Sequence, residues 1–179
     1  MSAPFEPAGA RSGILLLGLG NLLLGDEGLG IHVLRRLEAG YRFEPSIDLV
    51  DGGTAGLELL PLFRGYGRIL MIDALGGDQP PGAVGLIRND DIRRALEVKL
   101  SLHHLGLAEV LALLDLLGEG PVELALIGVA PARMELDLDL SPGVAASIPT
   151  VIAAARSLQT NWGVRSTSTR PESAYVASQ

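Results

Sequence analysis

The chain has 179 residues, of which 47% are hydrophobic; this is enough for one domain with a substantial core and too short for two ordinary domains. Its formal net charge of -7 disfavours nucleic acid and anionic membranes as partners, because both are bound through clustered lysine and arginine. The chain has no cysteine, so disulfides, thiolate nucleophiles and cysteine-based metal sites are excluded. Any metal would be held by oxygen and imidazole.

The N-terminal part of the chain predicts a strand, a glycine turn and a helix. Residues 1–12 have no apolar period, and we expect a flexible arm. Residues 14–17 form an apolar run that ends in Gly18-Leu-Gly20, as a buried parallel strand followed by a turn would. From Glu27 to about Gly40 the apolar residues follow helical spacing. The unit is therefore strand, loop, helix.

The apolar stretch 14–24 lacks the features of a targeting segment. Gly18, Gly20 and Asn21 interrupt it, and the acidic pair Asp26-Glu27 follows at once. No small-residue cleavage site follows either. We therefore expect a cytoplasmic protein without a membrane span.

Strands and helices alternate through the rest of the chain. Strands are predicted at 47–50, 68–72, 83–87 and 122–129, and helices at 57–63, 91–96, 101–117 and 141–158. Because right-handed crossovers place helices on both faces of a sheet, this order predicts a three-layer α/β/α sandwich around a mostly parallel, about five-stranded twisted sheet. We expect one domain over 13–160 and a disordered tail over 161–179, where no apolar period continues.

Acidic residues follow three of the predicted strands. Glu27 comes after the first strand and its glycine turn, Asp51 after the second strand and Asp73 after the third. Because the carboxyl ends of parallel strands meet at one edge of a sheet, we expect these carboxylates to lie near one another. Each also has a structural interpretation, since Glu27 could stabilise a helix N-terminus, Asp73 could cap a loop and Asp51 could form a turn.

The chain has three histidines, and two of them begin a helix. His103 and His104 lie in the first turn of the predicted helix 101–117, where the N-terminal field favours the neutral imidazole that a metal requires. Helical spacing does not choose between them. His32 shares the outer side of its helix with two arginines, and we expect it at the surface. Two carboxylates and one imidazole would suit a divalent metal such as nickel or zinc.

Other functional classes fit the sequence poorly. A dinucleotide fingerprint requires glycine where the chain has Leu23, and a phosphate loop requires lysine where it has Asp26. The chain contains no His-Glu-x-x-His zinc helix and no Gly-x-Ser-x-Gly nucleophile elbow. The residues alone thus predict a metal-binding α/β protein of unspecified substrate.

The ordered motifs of the chain resemble those of the nickel-iron hydrogenase maturation endopeptidases. They are Gly18-Leu-Gly-Asn21 with Asp26-Glu27-Gly28, Asp51-Gly-Gly-Thr-Ala-Gly56, Ile72-Asp73-Ala74, His103-His-Leu-Gly-Leu107 and Gly128-Val-Ala-Pro131. The resemblance implies a hydrolase that removes a C-terminal extension from the precursor of the hydrogenase large subunit after nickel loading. That precursor is the expected partner.

The resemblance also implies roles for individual residues. Glu27, Asp73 and His103 match the family's metal contacts, and Asp51 matches a further functional position. We expect the nickel to come with the substrate, and zinc or cadmium to be able to occupy the site in vitro. The expected catalytic carboxylates are Asp51, Asp73 and Glu27. Whether Asp51 or Asp73 acts as general base, or the metal activates water, stays open. The alternative function is a non-enzymatic nickel-binding maturation chaperone.

Overall fold

The computed structural model describes residues 13–98 and 102–169 and, within these ranges, every side chain except those of residues 93, 97, 98 and 102–105. The predicted arm 1–12 lies outside the described residues. The strands are β1 (Ile14–Leu19), β2 (Tyr41–Glu44), β3 (Asp48–Gly53), β4 (Arg68–Ala74), β5 (Val84–Arg88), β6 (Glu123–Val129) and β7 (Arg165–Ser168). The α-helices are α1 (Leu29–Gly40), α2 (Leu60–Phe63), α3 (Asp90–Val98), α4 (Leu102–Leu117) and α5 (Pro142–Asn161), and short 3-10 helices occupy Gly25–Gly28 and Leu57–Leu59.

Five strands form the central sheet in the order β3-β1-β4-β6-β5. All neighbours in it are parallel except β5, which runs antiparallel to β6. The predicted five-stranded, mostly parallel sheet is confirmed. The chain leaves β1 for β3 on one side and then returns to β4 on the other side. Such a reversal opens a crevice at the carboxyl ends of the strands, where α/β proteins bind their ligands.

Both faces of the sheet are covered by helices, so the predicted α/β/α layering is also confirmed. A hydrophobic core lies on each face of the sheet. Alternate side chains of β1 and β4 pack in one core or the other, because successive residues of a strand point to opposite faces. Leu16 and Ile72 pack with residues of α1 and α5. Leu17 and Met71 pack with residues of α3 and α4. Every one of these four side chains is fully buried.

Glycines allow α1 to begin directly against the carboxyl ends of two strands. A Cβ on Gly30 would collide with the carbonyl oxygens of Ile72 in β4 and Leu19 in β1. A Cβ on Gly18 would lie 2.6 Å from the carbonyl oxygen of Gly30. Any side chain at either position would push the helix away from the sheet. The start of α1 and the preceding 3-10 helix are thus fixed at the carboxyl edge.

The predicted disordered tail is wrong for residues 161–169: α5 continues to Asn161, Trp162 and Val164 are buried in the core, and Arg165–Ser168 form a strand. This strand is β7, which pairs antiparallel with β2 in a separate two-stranded sheet. Arg156 of α5 supports this sheet, since its Nε donates a hydrogen bond to Ser166 Oγ at 2.8 Å and its guanidinium lies 4.4 Å from the centre of the Tyr41 ring. These contacts are polar, and Arg165–Ser168 contains no apolar residue, so no apolar period predicts β7. Residues 170–179 lie outside the described residues.

Three elements also differ in extent from the sequence expectation. β4 extends to Ala74, so Asp73 lies within the strand rather than after it, and β3 likewise includes Asp51. The helix predicted at 91–96 is longer than expected, since α3 has nine residues. Within the described ranges, no helix has the length and apolarity needed to cross a membrane.

Candidate functional site

Glu27 and Asp73 are both buried at the carboxyl edge of the sheet. Glu27 is 8% exposed and lies in the 3-10 helix Gly25–Gly28, while Asp73 is 1% exposed and lies next to the end of β4. This 3-10 helix contacts β4 directly. Asp73 Oδ1 accepts a hydrogen bond from the Ala74 N–H at 2.8 Å. The structure thus brings these two carboxylates to one region, as expected from the strand ends.

The alternation of β4 also defines the side of the sheet to which Asp73 belongs. Asp73 lies on the same face of β4 as Ile69 and Met71, because alternate residues of a strand line one face of the sheet. The side chains of Ile69 and Met71 pack in the core beneath α4. Helix α4 begins at Leu102, so His103 lies in its first turn. The His103 side chain is outside the described part of the structure, and its role as third ligand stays a prediction. Among the side chains that are described, no group of three acids or histidines forms a metal site.

A tight glycine loop returns the chain from β1 to Glu27. Gly20 has a φ of +121°, and a Cβ there would collide with the carbonyl oxygen of Glu27. The Gly20 N–H donates to the carbonyl oxygen of Gly53 at 2.8 Å, which ties the loop to the end of β3. Asn21 Oδ1 accepts the N–H of Leu23 at 3.0 Å. The glycine positions therefore serve backbone contact rather than phosphate binding.

Asp26 anchors a distant loop to the site. It is fully buried, and its carboxylate accepts hydrogen bonds from the Ala132 and Arg133 N–H groups at 2.8 and 3.1 Å and from the Ser141 N–H and hydroxyl at 2.7 and 2.8 Å. Burial raises the pKa of this carboxyl, but the hydrogen bonds from Ser141, Arg133 and Ala132 outweigh it and hold the pKa below its usual value. Sequence reasoning misses this role because the partners lie more than 100 residues away.

Asp51 lies in a different setting from the two buried carboxylates. It is exposed, and its Oδ1 accepts the Gly53 N–H at 3.0 Å. An open cleft of about 820 Å³ is lined by Asp51, the turn that follows it and Gly106 and Glu109 of α4. A Cβ on Gly106 would collide with the Cα of Gly56, so α4 rests directly on this turn. Asp51 is accessible to water and to a substrate in this cleft.

His32 is half-buried, which corrects the expectation of a solvated surface residue. Its Nε2 is buried and has no hydrogen-bond partner among the described residues, while Arg35 and Arg36 are exposed. Burial lowers the pKa of the imidazole, and the two arginines lower it further against an opposing effect of Asp139. His32 is therefore neutral near pH 7, and it joins no described cluster of acids.

Comparisons with known proteins agree with the fold and identify a family. A family model described as HycI, hydrogenase maturation protease, matches residues 31–158. Hydrogenase 2 maturation protease of Escherichia coli is 38% identical over 136 residues, which cover 75% of this chain and 83% of that protein. Hydrogenase expression/formation protein HupD of Rhizobium leguminosarum is 35% identical over 169 residues, which cover 91% and 81%.

Solved structures give the same result. The hydrogenase maturating endopeptidase HybD from Escherichia coli superposes with a TM-score of 0.85 at 34% identity, covering 88% of this chain and 98% of that one. The [NiFe] hydrogenase maturation protease HybD from Thermococcus kodakarensis has a TM-score of 0.68 at 29% identity, covering 82% and 98%. The chain therefore belongs to the hydrogenase maturation protease family of endopeptidases.

Proposed function

We propose that this protein removes the C-terminal extension from the precursor of a nickel-iron hydrogenase large subunit after nickel has been loaded. One observation carries the proposal. Glu27 and Asp73 come from separate sequence motifs, yet both are buried, and the 3-10 helix of Glu27 contacts the strand of Asp73. Membership of the hydrogenase maturation protease family supplies the substrate class.

In this proposal, Glu27, Asp73 and His103 bind nickel that arrives inside the substrate. Carboxylate oxygens and an imidazole nitrogen are suitable ligands for a divalent metal. A cation between two buried carboxylates would offset their desolvation cost. A loaded precursor would offer open coordination positions on its nickel, whereas an empty precursor would offer none. The metal would thus be the feature by which the enzyme distinguishes the two substrates.

Asp51 is the proposed general base. Its carboxylate is exposed beside the cleft, and the hydrogen bond from the Gly53 N–H restricts its orientation. It would accept a proton from water while the water oxygen attacks the scissile carbonyl carbon, and the proton would then pass to the leaving amide nitrogen. The products are a new C-terminal carboxylate and a free amine. Asp73 is the alternative base, and polarisation of the carbonyl by the substrate's nickel is a further contribution.

We place this reaction in the cytoplasm. The apolar stretch that opens the described chain is not a targeting segment but the buried strand β1, whose residues Ile14–Leu19 are all in the core.

The acidic net charge of -7 favours a protein partner with a basic contact surface.

Intact mass spectrometry of the precursor tests the proposal. The precursor is incubated with the purified protein in nickel-loaded and nickel-free form. We expect the loaded precursor alone to lose the mass of its C-terminal peptide. Equal cleavage of both forms would contradict recognition of the metal. Binding of the loaded precursor with no change in its mass would indicate the chaperone function instead.

A further inference from the structure

An exposed apolar surface lies beside the glycine loop that leads to Glu27. It is formed by Leu23, Met134, Leu136 and Leu138, which are 55%, 44%, 84% and 67% exposed, and we call it the leucine surface. Backbone hydrogen bonds hold its two segments together. The Gly25 N–H donates to the Asp137 carbonyl oxygen at 2.8 Å, and the Asp137 N–H donates to the Leu23 carbonyl oxygen at 3.1 Å.

The loop that carries the leucine surface is fixed at both ends by Asp26. The Asp26 carboxylate binds the N–H groups of Ala132 and Arg133 at the start of the loop and Ser141 at its end. Between these ends, an ion pair joins Arg133 to Asp137 at 2.6 Å. The backbone that carries the exposed leucines is therefore held in one arrangement. A fixed, exposed apolar surface contributes little to the stability of the fold. It does reduce the entropy cost of binding a partner.

We propose that the leucine surface docks the large-subunit precursor beside the C-terminal extension, an inference that rests on the proposed function. The loop of the leucine surface adjoins the site in the fold, since Asp137 accepts the N–H of Gly25, the first residue of the 3-10 helix that contains Glu27. A substrate that brings nickel to Glu27 would therefore lie beside this loop. The charges indicate the complementary face. Glu135, Asp137 and Asp139 alternate with the apolar residues. Arg133 pairs with Glu135 and Asp137, but the three acids still outnumber this one arginine, so the partner face would be apolar with a basic rim.

A double substitution tests this docking surface. Leu136→Ser with Leu138→Ser removes its two most exposed side chains, and Leu116→Ser with Val122→Ser is the matched control. Leu116 and Val122 are 82% and 80% exposed and lie before the start of β6, at the opposite edge of the sheet. Because all four side chains are mostly in solvent, both variants should retain the wild-type melting temperature.

Binding and cleavage are measured separately, by calorimetry and by intact mass, with the nickel-loaded precursor. We expect the Leu136/Leu138 variant to raise Kd and KM at least about tenfold while kcat changes less than about twofold, and the control to match the wild type. Equal Kd for the two variants would overturn the docking surface. Normal binding by the wild type without cleavage would instead overturn the proposed protease function, and the docking surface would then be judged from Kd alone.

Discussion

Asp26 and Ser141 are joined by two buried hydrogen bonds across 115 residues of sequence. The Ser141 N–H donates to Asp26 Oδ1 at 2.7 Å, and its hydroxyl donates to Oδ2 at 2.8 Å. Ser141 immediately precedes α5, and Asp26 immediately precedes Glu27. The position of a candidate nickel ligand is thus coupled to the start of the last helix.

Replacing Asp26 with asparagine should destabilise the protein. The amide nitrogen cannot accept a hydrogen bond, so at least one buried backbone donor would lose its acceptor. We expect the free energy of unfolding in urea to fall by about 2–4 kcal/mol. Asp78→Asn, at an exposed position, is the control and should change it by less than about 0.5 kcal/mol. Equal stabilities of the two variants would show that the Asp26 contacts contribute nothing.

The lowered pKa of Asp26 also predicts a dependence of stability on pH. Because its pKa in the folded protein lies below its ordinary value of 3.8, its ionised form stabilises the fold above pH 3.8, and this contribution is lost as the pH falls through the folded pKa. Urea unfolding at a series of pH values should therefore show a smaller loss of stability below pH 3.8 for Asp26→Asn than for the wild type. If the free energy of unfolding changed with pH in the same way for both proteins, the lowered pKa could not be assigned to Asp26.

Local patterns in the sequence predict the sheet but not all of the contacts around the site. Buried strands such as β1 and β6 have apolar runs, and α5 has Ser141-Pro142 at its start, so each is predictable locally. β7 is not, because its polar residues are held by pairing with β2 and by Arg156. The Asp26 anchor likewise depends on residues brought close only by the fold. Short motifs therefore predict Glu27 and Asp73 as site residues, but not what fixes the loop beside them.

Gly106→Ala tests the contact between α4 and the Asp51 turn. Alanine favours the helix by about 1 kcal/mol, but its Cβ would collide with Gly56, an overpacking that costs about 1–3 kcal/mol. We expect no net gain in melting temperature, and slower precursor cleavage because α4 must move away from the turn. Gly143→Ala in α5 is the control, since its Cβ would have no neighbour closer than 3.7 Å. Faster or unchanged cleavage by Gly106→Ala would contradict this contact.

Asp51→Asn separates catalysis from recognition. If Asp51 is the general base, the variant should bind loaded precursor with unchanged Kd and lose cleavage by at least about 100-fold. Glu58→Gln is the matched control, because Glu58 is an exposed carboxylate lining the same cleft. It should cleave at nearly the wild-type rate. Weakened binding by Asp51→Asn would assign Asp51 to recognition instead.

The central claim is that Glu27, Asp73 and His103 bind a nickel ion carried by the substrate. Its most direct test compares His103→Ala with His104→Ala, because the two residues are neighbours in the first turn of α4 and only His103 is the proposed ligand. Each variant is incubated with nickel-loaded precursor, and the intact mass of the precursor is followed over time. The account predicts that His103→Ala releases no C-terminal peptide and that His104→Ala processes the precursor. Complete cleavage by His103→Ala would contradict it.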